Sequence, residues 1–219
     1  MGQREEAAGV IDKVAGPLIV ATGMRDVQMH DVVRVSEKKL IGEVIELRGD
    51  RASIQVYEDT AGVGPGEPVY VTGEPLTAEL APGLIGGIYD GIERPLETIR
   101  AVAGDRIPRG IDVPKLDRSR RWRFVPCVRE GDTVQAGDAL GTVEETPAVT
   151  QKILTPPGVS GVVRWALDGE ATITEPVARI ADASGRETEV AMLQKWPVRV
   201  KRPYAGKRMP TEQIGRAHV

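Results

Sequence analysis

The sequence is poor in cysteine, histidine and aromatic residues. Its single cysteine, Cys127, cannot close a disulfide within the chain. Because residues 124–128 are apolar, we interpret Cys127 as a small buried hydrophobe and not as a nucleophile. The two histidines, His30 and His218, lie far apart and lack the neighbouring cysteines and spaced carboxylates of a zinc site. We therefore interpret both as surface residues and predict no metal site.

Long apolar runs and a phosphate-binding loop are also missing. No run approaches the roughly 18 apolar residues of a membrane-spanning helix, and the first residues lack the apolar core of a signal peptide. The chain contains no Gly-x-x-x-x-Gly-Lys-Ser/Thr, the loop whose backbone amides and lysine hold nucleotide phosphates. We therefore expect a cytoplasmic chain without direct membrane insertion and with no catalytic or cofactor-binding residue of its own.

The charge balance argues against a nucleic-acid partner. With 29 basic and 32 acidic residues the net charge is −3, so no global positive field attracts nucleic acid. Two local basic clusters are exceptions, one around Trp122 that resembles a stacking platform for single strands and one near the C-terminus. We interpret the first as a solvated or partner-facing loop and the second as an interdomain linker. The clusters are Arg118, Arg120, Arg121 and Arg123, and Arg199, Lys201, Arg202, Lys207 and Arg208.

Glycine and proline are abundant, with 25 and 16 residues, which favours many short strands separated by turns. The clearest hairpin covers residues 41–57, where Gly49 can adopt a positive φ at the turn. Ala52, Ile54 and Val56 alternate with polar residues and so share one face. We predict a small N-terminal β-barrel over residues 1–72, because closure removes the exposed strand edges.

A connector is predicted over residues 73–110. Within it, residues 84–96 carry three glycines and a proline and predict a strand, a tight turn and a second strand. Residues 106–123 lack a clean periodicity and contain Pro108 and Pro114, so we expect them to run along a surface. A linker is predicted over residues 191–213.

A second β module is predicted over residues 111–190. The triplet at residues 130–132 (Glu-Gly-Asp) recurs 38 residues later as Asp-Gly-Glu, and a strand-like run follows each copy. This weak repeat predicts two related halves packed face to face, as in a barrel-sandwich. The predicted fold is therefore mainly β, with two modules that share few contacts.

The second module also resembles the opening of a biotinyl or lipoyl carrier domain at residues 130–140. Such a carrier needs an exposed lysine at the tip of its central hairpin to hold the cofactor. Residues 144–150 contain no lysine, and Lys152 follows two residues later. The carrier is thus a disfavoured alternative, and a stand-alone all-β protein-binding module is another.

Three separated stretches together resemble one family, the catalytic A subunits of V-type and A-type rotary ATPases. They are residues 9–72, the segment Gly-Gly-Ile-Tyr-Asp-Gly-Ile-Glu-Arg-Pro-Leu at 86–96, and Met-Leu-Gln-Lys-Trp-Pro-Val-Arg at 192–199. Residues 109–190 fit the long insertion that distinguishes A subunits from B subunits and from F-type subunits. The resemblance covers nearly the whole chain up to about residue 210.

The resemblance implies a catalytic subunit that couples ATP synthesis or hydrolysis to proton or sodium transport. Three such subunits would alternate with three B subunits, with the barrels forming a collar and the inserted module pointing towards the peripheral stalks. ATP and Mg²⁺ would bind in a following P-loop domain. The resemblance thus implies an enzyme by family, whereas this chain alone is expected to be inactive.

The last six residues depart from the family pattern. In the family, the basic linker leads into a Thr-Gly-Gln-Arg stretch, whereas here residues 214–219 read Ile-Gly-Arg-Ala-His-Val. These six residues match the translation of a common sequencing adapter. We therefore interpret residues 214–219 as adapter-derived.

Overall fold

The computed structural model describes residues 8–201, and this part is almost entirely β-sheet. Six antiparallel strands form a closed barrel in the order β1-β2-β5-β4-β3-β6, which confirms the predicted N-terminal barrel. The strands are β1 (Gly9–Ala15), β2 (Leu18–Thr22), β3 (Asp31–Val35), β4 (Leu40–Arg48), β5 (Arg51–Val56) and β6 (Pro68–Pro75).

The hairpin β4–β5 shows why the barrel could be predicted. Gly49 has φ 64° at the turn, a conformation that glycine adopts without steric cost. Ala52, Ile54 and Val56 point into the barrel and are buried, as their alternation predicts. The barrel core is built from the inward-facing residues of all six strands.

The connector differs from the predicted strand, turn and strand. After the short strand β7 (Thr77–Leu80), residues 84–95 form a loop in which only Tyr89 and Pro95 make a bridge. The Asp90 carboxylate accepts the backbone N–H groups of Ile92 and Arg94, and this local turn takes the place of a strand ladder. The prediction of paired strands is therefore wrong in the described structure.

A helix that the sequence analysis missed follows this loop. The helix α1 (Leu96–Ala103) begins directly after Pro95, and it has Glu97 in its first turn and Ile99 buried. Two turns are too short for a clear hydrophobic period, so the pattern gave little signal. Within residues 8–201, no helix has the length and hydrophobicity needed to cross a membrane.

The second module consists of two four-stranded sheets, β11-β10-β8-β13 and β15-β14-β12-β9. The first half, β8–β11, gives three strands to the first sheet and the short strand β9 to the second. The second half, β12–β15, does the reverse, so β12 to β15 occupy the same positions in their sheets as β8 to β11. This arrangement confirms the predicted pair of related halves. The strands are β8 (Arg121–Pro126), β9 (Thr133–Val134), β10 (Ala139–Thr146), β11 (Val149–Leu154), β12 (Gly161–Ala166), β13 (Gly169–Thr172), β14 (Pro176–Ala181) and β15 (Glu187–Ala191).

The repeated triplets are not structurally equivalent. Gly131 lies in a turn with φ 94°, whereas Gly169 is already the first residue of β13. The repeat therefore marks the two halves correctly, but only its first copy forms a turn.

Cys127 is exposed, so its interpretation as a buried hydrophobe is wrong. In β8 the alternation buries Trp122 and Phe124 and turns Val125 outward. The strand ends at Pro126, and Cys127 follows it in a loop. An apolar local sequence did not show where the strand stops.

Candidate functional site

The barrel, the connector and the second module meet at three segments, which we together call the junction. These segments are β7, β16 (Gln194–Pro197) and residues 109–118. The strands β7 and β16 pair antiparallel, with Leu80 opposite Gln194 and Thr77 opposite Pro197. Residues 194–197 are thus a paired strand, and the prediction of a linker is wrong there. The pairing satisfies backbone groups that a free linker would leave to water.

The junction also shares a hydrophobic core with the second module. Ala81, which follows β7, and Met192, which precedes β16, are buried in the same cluster as Trp122 and Phe124. The barrel has a separate hydrophobic core of its own, so the expectation that the two modules share few contacts stays a prediction. The proline-rich and basic composition of the segment after residue 190 suggested a linker. Its partner strand β7 lies more than a hundred residues earlier in the chain, so the local sequence gave no sign of the pairing.

Glu58 ties the barrel to the connector. Its Oε1 accepts Arg94 Nη1 at 2.7 Å and the backbone N–H of Gly110 at 3.1 Å, and its Oε2 accepts the N–H of Ile41 at 2.9 Å. Arg94 also donates from Nε to Asp90 at 2.7 Å. One buried carboxylate thus holds β4, the connector loop and the segment after α1 in fixed positions.

Residues 109–112 lie directly on the barrel. Arg109 Nη1 donates to the Ala61 carbonyl oxygen at 2.6 Å, and Arg34 Nη2 lies 3.3 Å from Asp112 Oδ2. Gly110 has φ 69°, and a Cβ added there would lie 1.8 Å from the Lys38 carbonyl oxygen. This segment runs along a surface as predicted, and that surface is the barrel.

In the basic cluster around Trp122, most of the arginines pair with carboxylates and the tryptophan ring lies in the protein core. Arg118 pairs with Glu79 across the junction, and the guanidinium of Arg120 lies 3.8 Å from the ring centroid of Trp122. The Trp122 ring itself is buried, so it offers no platform for a base. Two further pairs complete the cluster, Arg121–Glu175 and Arg123–Asp168.

The central hairpin of the second module contacts the connector. Glu145, which is buried near the end of β10, accepts the backbone N–H groups of Gly83 at 2.8 Å and Ile85 at 2.9 Å. The hairpin turns at residues 147–148, and Lys152 lies within β11 opposite Thr142. The lysine is therefore not at the position that a carrier domain would modify.

The carboxylate of Glu43 is shared by three side chains. It is buried in β4 and accepts hydrogen bonds from Arg199, with Nη2 to Oε2 at 2.8 Å, and from the hydroxyl of Tyr57. His30 Nδ1 lies 3.1 Å from its Oε1, and the His30 side chain, 42% exposed, lies at the surface and contacts Glu43 there. Arg199, predicted to belong to a linker, instead anchors the chain after β16 to the barrel.

The environment of Glu43 changes two pKa values. Hydrogen bonds from Arg199 lower the pKa of Glu43 below its ordinary value, against the opposite effect of burial. Burial, followed by the hydrogen bond to Glu43, raises the pKa of Tyr57 to about 12. The carboxylate is therefore held ionised and the phenol protonated at neutral pH.

We expect Glu43 to make stability depend on pH in the acid range. A carboxyl group with a depressed folded pKa stabilises the protein above its unfolded pKa, and this contribution is lost as the pH falls through the folded value. The free energy of unfolding of the wild type should therefore fall between about pH 5 and pH 3, and less steeply in Glu43→Gln. Urea unfolding at several pH values measures this.

The control for this experiment is Glu144→Gln, which removes an exposed carboxylate from β10 of the second module. Its pH dependence should follow the wild type. Equal slopes for Glu43→Gln and the wild type would show that the contact with Arg199 does not favour the ionised carboxylate.

No group of three or more His, Cys, Asp and Glu residues in the described range could hold a metal ion. His218, Arg202, Lys207, Arg208 and residues 214–219 lie outside the described residues. Within residues 8–201, the junction carboxylates accept hydrogen bonds from arginine and lysine side chains and from backbone amides. These bonds fix the segments of the junction relative to one another.

Two family models match the chain in the same order as the two β modules. Residues 11–73 match the model described as "ATP synthase alpha/beta family, beta-barrel domain". Residues 113–199 match the model described as "ATPsynthase alpha/beta subunit barrel-sandwich domain". The second match includes β16, which agrees with the packing of the neighbouring Met192 in the core of the second module.

Curated relatives resemble nearly the whole chain. The V-type ATP synthase alpha chain of Thermoanaerobacter sp. (strain X514) is 54% identical over 202 residues, which are 92% of this chain and 34% of that protein. The V-type ATP synthase alpha chain of Acetivibrio thermocellus is 55% identical over 206 residues, 94% of this chain and 35% of that protein. The chain thus spans about a third of the length of the curated relatives it matches. It belongs to the ATP synthase alpha/beta family and corresponds to the N-terminal third of V-type alpha chains.

Proposed function

We propose that this chain is the N-terminal portion of the catalytic A subunit of a V/A-type rotary ATPase or ATP synthase, which couples ATP synthesis or hydrolysis to proton or sodium transport. The observation that carries the proposal is the barrel and the barrel-sandwich in one chain, each matching its own family model. In the complete subunit, ATP and Mg²⁺ bind in the P-loop domain that follows.

Within this subunit, the barrel serves ring assembly with B subunits, and the second module reaches the peripheral stalk. The closed barrel supports the first role, because its six strands are complete by Pro75 and need no strand from the rest of the chain. The two four-stranded sheets of the second module support the second role, because they form a unit outside the barrel with a hydrophobic core of its own. The location is cytoplasmic, at the membrane through the complex.

The exposed apolar residues of the connector support a longer subunit. Ile85 and Ile88 are 51% and 59% exposed in the loop after β7, and Val198 and Val200 are exposed just after β16. Val198 lines one cavity together with Leu84 and Tyr89 of the connector loop, and large exposed apolar patches mark interfaces. We assign this face to contact with the remaining two thirds of the subunit.

The chain by itself should neither hydrolyse ATP nor bind it tightly. Without a phosphate-binding loop, calorimetric titration with Mg-ATP should show no micromolar dissociation constant. A chimera should behave differently: residues 1–201 of this chain, in place of the matching third of the Thermoanaerobacter alpha chain, should form a ring with that organism's B subunits and hydrolyse ATP.

The intact Thermoanaerobacter subunit is the control for ring formation, measured by native mass spectrometry. A chimera that folds but forms no ring would favour a stand-alone binding module. Micromolar Mg-ATP binding by this chain alone would contradict the assignment of ATP binding to the missing domain.

A further inference from the structure

An open cleft of about 510 Å³ lies at the junction, within the size range of small-molecule sites. Its walls come from the barrel strands β3, β4 and β6, the connector with β7, the segment of residues 111–118, and β16. Side chains from both the barrel and the second module thus face the same space. Nothing in the proposed function uses this cleft.

The lining is rich in basic side chains. Five basic residues line the cleft, Arg34, Arg94, Lys115, Arg118 and Lys195, against three acidic ones, Glu74, Glu79 and Asp112. Arg94 is held by Glu58 and Asp90, and Lys115 is held by Glu93, so these two cations are already compensated.

The partners of Arg34 and Lys195 lie at the exposed rim. Arg34 pairs with Asp112, whose side chain is 79% exposed, and Lys195 pairs with Glu74, whose side chain is 58% exposed. An ion pair with a strongly exposed carboxylate contributes little to stability, because water screens it. Either carboxylate can therefore move into water when another anion takes its place.

Two guanidinium groups of the lining have unused donors. Within the described residues, Arg34 Nη1 and Arg118 Nη1 are buried and have no hydrogen-bond partner. Each guanidinium already uses its Nη2 for a carboxylate, Asp112 and Glu79 respectively. A buried N–H without a partner is costly, so each of these two groups has a donor that a further acceptor can satisfy.

We propose that this cleft binds an oxyanion of the phosphate class, held by Arg34 and Arg118 with Lys195 at the rim. The guanidinium presents several N–H groups in one plane, so Nη1 of each arginine can donate to a phosphate oxygen while Nη2 keeps its carboxylate. Val32, Ile41 and Ile92 of the same lining offer an apolar surface that the organic group of a phosphate ester can contact.

Such a ligand would join the two modules. Arg34 belongs to β3 of the barrel, and Arg118 lies just before β8 of the second module. An anion bound by both would add a contact across the junction and stabilise the docked arrangement. Binding would therefore raise the melting temperature of the folded chain.

The test is a titration of the chain with inorganic phosphate, followed by thermal unfolding and by amide chemical shifts. We expect saturable binding with a dissociation constant in the millimolar range, as is usual for so small a ligand. Sodium chloride at equal ionic strength controls for screening, and sodium acetate for carboxylates. AMP, titrated separately, distinguishes a phosphate ester from free phosphate.

Arg34→Gln and Arg118→Gln should each weaken phosphate binding about tenfold or more, because each removes one of the two guanidinium groups. Arg48→Gln is the matched control, since Arg48 is an exposed arginine paired with Glu46 outside the cleft. Circular dichroism confirms that each variant is folded, and Arg34→Lys or Arg118→Lys replaces the corresponding Gln variant where that variant is not. Binding that persists in both Gln variants, equal binding of acetate, or no saturable binding of phosphate or AMP would overturn the proposal.

Discussion

Replacing Gly110 by alanine should detach residues 106–116 from the barrel. The new Cβ would lie 1.8 Å from the Lys38 carbonyl oxygen and 3.0 Å from the Lys38 carbonyl carbon. Both are backbone atoms, so no side-chain rotation relieves the clash and the segment must move. Movement breaks the hydrogen bond from the Gly110 N–H to Glu58 and the contact of Arg109 with Ala61.

Gly104→Ala is the matched control for this substitution. Gly104 also has a positive φ, 79°, but no atom lies within 4 Å of the position of its added Cβ. Both variants place an alanine at positive φ, which costs on the order of 1–3 kcal/mol, and at Gly104 the ψ of −151° lies in a region that is adopted almost only by glycine. Only Gly110→Ala adds the clash with the barrel, so the difference between the two variants measures the close approach.

Limited trypsin digestion measures the effect. Cleavage after Arg106 and Arg109 should be about tenfold faster in Gly110→Ala than in Gly104→Ala, because local opening of the segment becomes easier. The barrel should stay folded, since none of its six strands includes residue 110. Equal cleavage rates in the two variants would show that the close contact with Lys38 does not hold the segment.

Deleting residues 111–190 from a full-length subunit should uncouple ATP hydrolysis from ion transport. The proposed role of this module is contact with the peripheral stalk, which holds the ring against rotation. Since the barrel is complete by Pro75, ring formation and soluble ATPase activity should remain largely intact. Stalk occupancy and ATP-driven ion pumping in reconstituted vesicles should both fall strongly.

The structure sharpens the design of this deletion. Ala81 and Met192 pack into the core of the second module, and Leu84 lies against it, so the deletion uncovers all three. The deleted subunit should therefore carry Leu84→Gln and Met192→Gln to prevent aggregation. Glu145→Gln in an otherwise intact subunit is the comparison, because it keeps the module but weakens its contact with Gly83 and Ile85.

Three outcomes separate the roles. Loss of pumping in the deletion with a smaller loss in Glu145→Gln would support a module that must be present and firmly held. Failure of the deleted subunit to form a ring would show that the module serves assembly. Unchanged pumping per ATP with normal stalk occupancy would show that the module has another role.

The local pattern of the sequence determined most of the strands. The hairpin β4–β5 follows from strict alternation around Gly49, and the two halves of the second module follow from the repeat at residues 130–132. These features need only neighbouring residues, because period-two burial and turn geometry are local properties. The local pattern did not predict the short helix α1, and it did not show that β8 ends before Cys127.

Only the tertiary structure decided how the parts are joined. The strand β16 exists because β7 lies beside it, and Arg199 meets Glu43 although 156 residues separate them. Arg34 and Arg118 likewise line one cleft only after folding. The sequence could identify these residue types, but their partners are set by packing between distant segments, which no local pattern of charge or hydrophobicity records.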